Sequence, residues 1–115
     1  MSATTIGLER AGSAAIVRIA GDVTSASEAD LMAGFSSAVD GGASVVILDF
    51  AGMEYMNSGG IGLLVTLLVR AQRGGGRLLA TGLSDHYRQI LSLTRIDEAI
   101  EIFDDEAAAI AAVEG

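Results

Sequence analysis

Residues 45–68 carry the sequence VVILDFAGMEYMNSGGIGLLVTLL, and this stretch decides the fold. Its first four residues, Val45–Leu48, are apolar and mostly β-branched, which predicts a strand buried on both faces in the middle of a sheet. Asp49 and Gly52 are expected to end that strand. A short connector then leads into an apolar helix, and a strand joined closely to a helix indicates an α/β fold.

The second half of this stretch predicts a helix that begins at the edge of the sheet. Asn57 or Ser58 is suited to cap a helix running from about Gly60 to Arg73, and Gly74-Gly75-Gly76 closes it. Free N–H groups and the positive end of the helix dipole would accommodate a phosphate or carboxylate there. Alternatively, the polar residues act only as caps. A nucleotide-binding glycine loop is disfavoured, because neither GxGxxG nor GxxxxGK[ST] occurs and the chain has no lysine.

This helix is apolar on two sides. The stripe predicted to pack on the sheet, at positions i, i+3, i+4 and i+7, consists of Ile61, Leu64, Val65 and Leu68. Leu63 and Leu67 fall on nearly the opposite side, close to Arg70. We therefore predict that Leu63 and Leu67 form a contact patch for a partner.

Working outward, strands and helices alternate along the chain. The predicted strands are Thr5–Arg10, Ala14–Ala20, Val45–Leu48, Arg77–Thr81 and Ala99–Phe103. The predicted helices are Glu28–Asp40, Gly60–Arg73, Ser84–Leu93 and Glu106–Val113, with Ser27 and Asp30 as a capping box before the first. The first two strands form a hairpin, and Gly21 to Thr24 is expected to leave the sheet. These patterns predict a single α/β domain over residues 1–115, with a mixed sheet of about five strands and four α-helices.

The composition narrows the possible functions. Fifteen acidic residues against seven arginines give a net charge of -8, which repels nucleic-acid phosphates and anionic lipid, so we expect no nucleic-acid or membrane partner. The absence of cysteine excludes disulfides, zinc sites with thiolate ligands and cysteine nucleophiles. Met1 to Arg10 lacks the pattern of a secretory signal, and Ile61 to Val69 is too short to span a bilayer, so a cytoplasmic location is expected.

Catalytic and metal-binding residues are scarce. His86 is the only histidine, and no acid-histidine-nucleophile set can be built around it. Without a second histidine or a cysteine, the carboxylates are expected to form a solvated surface rather than a metal site. We predict that the chain is not an enzyme and uses no cofactor or metal.

The chain resembles the STAS domains of anti-sigma factor antagonists. The resemblance rests on the order of elements, the strand ending at Asp49, the turn Asn-Ser-Gly-Gly-Ile-Gly-Leu-Leu, residues 76–82 (GRLLATG) and residues 90–96 (ILSLTRI). It runs from about Ile6 to Val113 and is most specific over residues 45–68. It implies the STAS fold, in which the helices pack mainly on one side of the mixed sheet.

The resemblance also implies a mechanism. Such antagonists bind a serine kinase of the GHKL type that acts as an anti-sigma factor, and phosphorylation by that kinase releases them. The partner-binding surface is expected to comprise Asp22, Thr24, Met56, Asn57, Ser58, Gly59, Gly60, Leu63, Leu67 and Arg70. A monomer or a weak dimer is expected.

The turn departs from the family's pattern. The usual sequence is Asp-Ser-Ser/Thr-Gly, with the phosphate on the second hydroxyl residue, whereas Asn57 replaces the acid and Gly59 replaces that acceptor. Ser58 is the nearest hydroxyl and is the candidate phosphorylation site, or else only a cap. Two alternatives stay open: a scaffold that is not phosphorylated, and a module that binds a nucleotide or another anionic ligand at the helix start.

Overall fold

The computed structural model describes residues 3–114 and builds them into one five-stranded sheet with four α-helices. The elements are β1 (Thr5–Ala11), β2 (Ala14–Val23), α1 (Glu28–Asp40), β3 (Val45–Met56), α2 (Ser58–Arg73), β4 (Arg77–Thr81), α3 (Asp85–Leu93), β5 (Glu101–Phe103) and α4 (Glu106–Glu114). The strands lie in the order β1-β2-β3-β4-β5. β1 is antiparallel to β2, and every other neighbouring pair is parallel. The predicted mixed α/β sheet is therefore confirmed.

The two faces of the sheet carry separate apolar cores. α1, α2 and α3 cover one face, where they bury Val17, Leu48 and Ala80 among others. α4 covers the other face, where Ala109 packs with Ile16, Ile47 and Leu79. Packing mainly on one side is confirmed, since three of these four helices share a face. Within residues 3–114, each helix is too short or too polar to cross a lipid bilayer.

The second and third strands are longer than the sequence pattern indicates. β3 loses its pairing with β4 after Asp49 but continues alongside β2 as far as Met56. Gly21 to Val23 likewise stay in the sheet, which corrects the prediction that they leave it. Irregular register between β2 and β3 accompanies this extension, and such bulges break the alternation by which a strand is recognised. The two strands thus run together beyond the rest of the sheet.

The capping box before α1 lies three residues earlier than predicted. Thr24 and Ser27 form it, around a 3-10 turn at Ser25–Ser27. Ser27 is buried and makes no side-chain cap to α1. A second 3-10 turn, Ile96–Glu98, delays the last strand, so β5 begins at Glu101 rather than Ala99. The remaining predicted boundaries agree with the structure within about two residues.

Candidate functional site

The start of α2 forms a turn with one capping residue and one exposed hydroxyl. The Asn57 Oδ1 atom accepts a hydrogen bond from the Gly60 N–H at 3.0 Å, so Asn57 is the cap. Ser58 is the first helical residue and is exposed. Its hydroxyl makes no hydrogen bond to another residue of the described part of the chain. Of the two predicted caps, Asn57 takes the structural role and leaves Ser58 accessible.

Gly59 and Gly60 allow this turn to lie directly against the end of β2. A methyl group on Gly60 would lie 2.4 Å from the carbonyl oxygen of Val23, well inside contact distance. A methyl group on Gly59 would lie 2.9 Å from the backbone nitrogen of Ser25 and 3.1 Å from its Cβ. The position that bears a hydroxyl in the related pattern therefore has no room for a side chain here.

The facing turn is held by its own hydrogen bonds. Ser27 Oγ accepts from the Thr24 N–H at 3.0 Å and donates to the Asp22 carbonyl, while Thr24 Oγ1 accepts from the Ala26 N–H. In the sheet, Asp22 pairs with Tyr55, and Val23 pairs with Met56. We refer to residues 22–27 and 55–60 together as the edge site. The structure brings Asp22, Thr24, Asn57, Ser58 and Gly59 together there.

Met56 and Gly60 belong to the edge site but do not form its surface, which corrects their assignment as partner contacts. Both are buried. The Met56 side chain lies in the main core, and its N–H donates to the Tyr87 hydroxyl at 2.9 Å. Tyr87 thereby ties α3 to the edge site, a role that sequence reasoning missed. Nothing in the local pattern around Tyr87 distinguishes it from an ordinary core residue.

Leu63 and Leu67 are buried, at 6% and 1% exposure, so they cannot form the predicted contact patch. The buried stripe of α2 consists of Gly60, Leu63, Leu64, Leu67, Leu68 and Ala71. It is rotated by about one residue from the predicted stripe, because both sides of this helix are apolar. The outer face instead shows Val65 and Val69, each 39% exposed, with Arg70 also at the surface.

Exposed or half-buried apolar groups also occur in the edge site and at the start of α2. Tyr55 is 50% exposed, and Ile61 is half-buried. Glu54 lies next to Tyr55 in β3, and Asp22 lies across from Tyr55 on β2. A partner docking here would meet an aromatic ring and aliphatic groups beside acidic side chains, a mixture suited to protein binding.

The edge site offers little to a small anion. The Gly60 N–H at the start of α2 already donates its hydrogen bond to Asn57 Oδ1, so it is not available to an anion. The adjoining groove is lined by Thr4, Asp22, Thr24 and Asp30 among other residues, and its carboxylates repel a phosphate. Within residues 3–114, no group of three or more histidine, aspartate or glutamate side chains is placed to hold a metal ion.

A separate charged cluster joins α4 to the other face of the sheet. The Arg18 guanidinium donates two hydrogen bonds of 2.9 Å to the Glu106 carboxylate and one of 2.8 Å to Glu9. Hydrogen bonds from Arg18, then from Asp49, lower the pKa of Glu106 to about 2. Burial, followed by the neighbouring Glu106, raises the pKa of Asp49. This cluster anchors the start of α4 and lies apart from the edge site.

Comparisons with known proteins agree with this architecture. The family model described as "Mlab, STAS domain" matches residues 6–103. The unphosphorylated anti-sigma factor antagonist SpoIIAA superposes with a TM-score of 0.77 at 22% identity, covering 96% of this chain and 99% of that one.

Two further solved structures share the fold. An anti-sigma factor antagonist from Mycobacterium paratuberculosis gives a TM-score of 0.84 at 17% identity, covering 98% of this chain and 96% of that one. A sulfate transporter family protein from Wolinella succinogenes gives 0.78 at 21% identity, covering 92% and 88%. At these identities the structural likeness shows a shared fold, and function has to be argued from the site.

Proposed function

The chain belongs to the STAS domain family, and from that premise we propose that it is an anti-sigma factor antagonist. It binds a serine kinase of the GHKL type that acts as an anti-sigma factor, and in doing so frees the kinase's other partner in the cytoplasm. It does so as a binding protein and not as an enzyme. Both antagonist structures described above share this fold and carry the name anti-sigma factor antagonist, which supports the assignment of this role.

The observation that carries the proposal is the form of the edge site. Ser58 stands exposed at the first position of α2, in a turn that Asn57 caps and that Val23 supports from below. A turn fixed in this way loses little conformational entropy on binding, which favours affinity. Tyr55 and the outer face of α2 supply exposed apolar area next to it.

We propose that Ser58 is the phosphorylation site that controls binding. The kinase transfers the γ-phosphoryl group of ATP to Ser58 Oγ, the hydroxyl proton passes to a base of the kinase, and ADP leaves. The phosphate adds about -1.5 to -2 charges. In the docked complex this charge would lie near Glu54 and Asp22, where repulsion and desolvation oppose binding. Phosphorylation therefore releases the antagonist.

Binding is tested with purified kinases of the GHKL type from the same genome, by calorimetry or surface plasmon resonance. Val65→Asp places a charge on the exposed face of α2 and is expected to weaken binding by at least about tenfold. Leu93→Asp is the matched control, since Leu93 is strongly exposed at the far end of α3. If no kinase of this class binds the wild-type chain, or if both variants bind as it does, the proposed docking surface is wrong.

The phosphorylation site is tested separately by mass spectrometry after incubation with the bound kinase and ATP. We expect phosphate on Ser58, no phosphate on Ser58→Ala, and weakened kinase binding by Ser58→Asp. Ser25 is the informative competitor, because it is also exposed and lies against Gly59. Phosphate on Ser25, or none at all with kinase binding retained, would refute the Ser58 switch while leaving the antagonist role in place.

A further inference from the structure

The first strand of the sheet has an open outer edge. β1 forms seven regular pairs with β2, from Thr5↔Ala20 to Ala11↔Ala14, and within residues 3–114 no other strand pairs with it. An open edge presents unpaired N–H and C=O groups that can pair with another strand. Edges are usually protected by charged side chains, especially lysine, by proline, by bulges or by very short strands. β1 is seven residues long and regular and lacks proline and lysine. Of its two charged residues, Glu9 is paired with Arg18, and Arg10 donates to backbone oxygens of its own chain.

An exposed leucine occupies the middle of this edge. Leu8 is 46% exposed, and it lies on the face of the sheet that α1 covers. α1 packs tightly there, since a methyl group on Gly34 would lie 2.9 Å from Ile6 Cγ2. The flank of α1 beside the edge carries small residues, namely Ala33, Gly34 and Ser37. Small side chains allow a second helix to approach closely.

The two ends of this edge carry opposite charges. At the carboxyl end of β1, the Arg10 guanidinium donates to the backbone oxygens of Gly41 and Gly12. At the amino end, Asp30 lines the groove shared by Thr4, Ile6 and Leu8. Neither Arg10 nor Asp30 forms an ion pair within the described residues. A surface with one uncompensated charge of each sign at its two ends is complementary to itself.

We propose that β1 pairs antiparallel with β1 of a second copy, joining two five-stranded sheets into one of ten strands. With a twofold axis perpendicular to the sheet, residues that face each other across the new strand pair point to the same face of the sheet. Their numbers in β1 are therefore both even or both odd. The register that places Leu8 opposite Leu8 buries the exposed leucines against each other. It sets Glu9 opposite Gly7, and not opposite a second glutamate, which avoids direct repulsion.

The same register brings the opposite charges of Arg10 and Asp30 of the two copies together. Arg10 of one copy comes opposite Ile6 of the other, beside the groove that Asp30 lines. The symmetric dimer therefore forms two Arg10–Asp30 ion pairs, one on each side of the axis. β1 is not part of the edge site, so dimerisation through β1 does not depend on the antagonist role. Both copies keep Ser58 and the outer face of α2 exposed.

The dimer is tested by sedimentation velocity on the full chain, at concentrations up to about 1 mM. We expect concentration-dependent dimerisation, abolished by Leu8→Arg and retained by Val65→Arg, a matched control at another exposed apolar residue. A wild-type chain that stays monomeric over this range overturns the proposal. So does a dimer lost in Val65→Arg but kept in Leu8→Arg, because that result assigns the contact to α2.

A charge exchange tests the register. Residue 10 of one copy faces residue 30 of the other. Both are positive in a dimer of Asp30→Arg, and both are negative in a dimer of Arg10→Asp. Each variant alone is therefore expected to be monomeric. Mixed together, the two variants restore both ion pairs and are expected to form a heterodimer. Circular dichroism melting confirms that each variant is folded before mixing. A wild-type dimer with no heterodimer in the mixture overturns the proposed pairing.

Discussion

At the scale of single residues, Glu106 and Asp49 are neighbouring carboxyl groups with opposite titration behaviour. Arg18 donates to Glu106 through two nitrogens and holds its pKa down to about 2. Asp49 is more buried and faces the charge of Glu106, so its pKa is raised. The two shifts have different main causes: burial raises the pKa of Asp49, whereas the hydrogen bonds from Arg18 lower the pKa of Glu106.

This arrangement predicts how pH changes stability. A folded pKa below the ordinary value of 4.5 means that charged Glu106 stabilises the fold above pH 4.5, and that this contribution is lost as the pH falls toward about 2. Glu106→Gln should therefore unfold at lower urea concentration than the wild type at pH 7, and the difference should shrink as the pH falls through that window. The contribution of Asp49 to stability changes in the opposite direction. Its raised pKa means that ionisation disfavours the folded state, so this contribution falls as the pH rises.

Glu54→Gln is the control for this measurement, since Glu54 forms no ion pair within residues 3–114. Its urea midpoint should match the wild type throughout. An equal loss of stability in Glu106→Gln at pH 7 and at pH 2 would contradict the assigned role of Arg18.

At the scale of elements, periodicity predicted the type and order of the strands and helices but not the facing of α2. Leu64 and Leu68 are compatible with two stripes, one completed by Ile61 and Val65 and the other by Leu63 and Leu67. Gly60 and Ala71 extend the second stripe over three turns, which is the signal that distinguishes the two. The predicted turn at the start of α2 agrees with the structure, whereas the predicted contact patch of Leu63 and Leu67 is buried.

The extension of β3 was not predictable from periodicity for a different reason. Residues 51–56 lack alternation, and their place in the sheet depends on backbone hydrogen bonds to β2. Backbone hydrogen bonds do not determine which side chains occur at these positions, so the sequence does not show them. The same holds for Tyr87, whose contact with Met56 joins residues far apart in the chain.

The junction between β3 and α2 gives a prediction with an internal control. Gly60→Ala should destabilise the chain by roughly 1–3 kcal/mol, because the new methyl group would meet the Val23 carbonyl at 2.4 Å and the backbone has to shift. Gly62→Ala lies two residues further along the same helix, with no atom within 4 Å of the added methyl group. It should stabilise the chain by about 0.5–1 kcal/mol. Urea unfolding of both variants measures the difference, and effects of the same sign would refute the close contact.

At the scale of the whole molecule, the two faces of the sheet are unequally protected. Three helices share one core, whereas α4 alone covers Ile16, Ile47 and Leu79. α4 has nine residues, and a helix of that length depends on its packing for stability. We therefore expect α4 to open more readily than the rest of the fold.

Ala109→Asp tests this expectation. Ala109 is the fully buried residue of α4 and faces the sheet, so a carboxylate there should detach the helix while the other core persists. Hydrogen exchange should show lost protection in α4 and retained protection in α2, together with increased binding of an apolar dye. Ala108→Asp is the control, since Ala108 is exposed. Simultaneous loss of protection in both helices would show that α4 does not open independently.

The order of the strands in space is also their order along the chain. During synthesis on the ribosome, each strand that emerges can dock at the free edge of those already made, without waiting for a later segment to be inserted between them. The exception is the face under α4, because α4 follows all five strands along the chain and covers that face only after it has emerged. Until α4 has emerged and docked, we expect the nascent chain to expose the apolar side chains of Ile16, Ile47 and Leu79, the kind of surface that chaperones recognise.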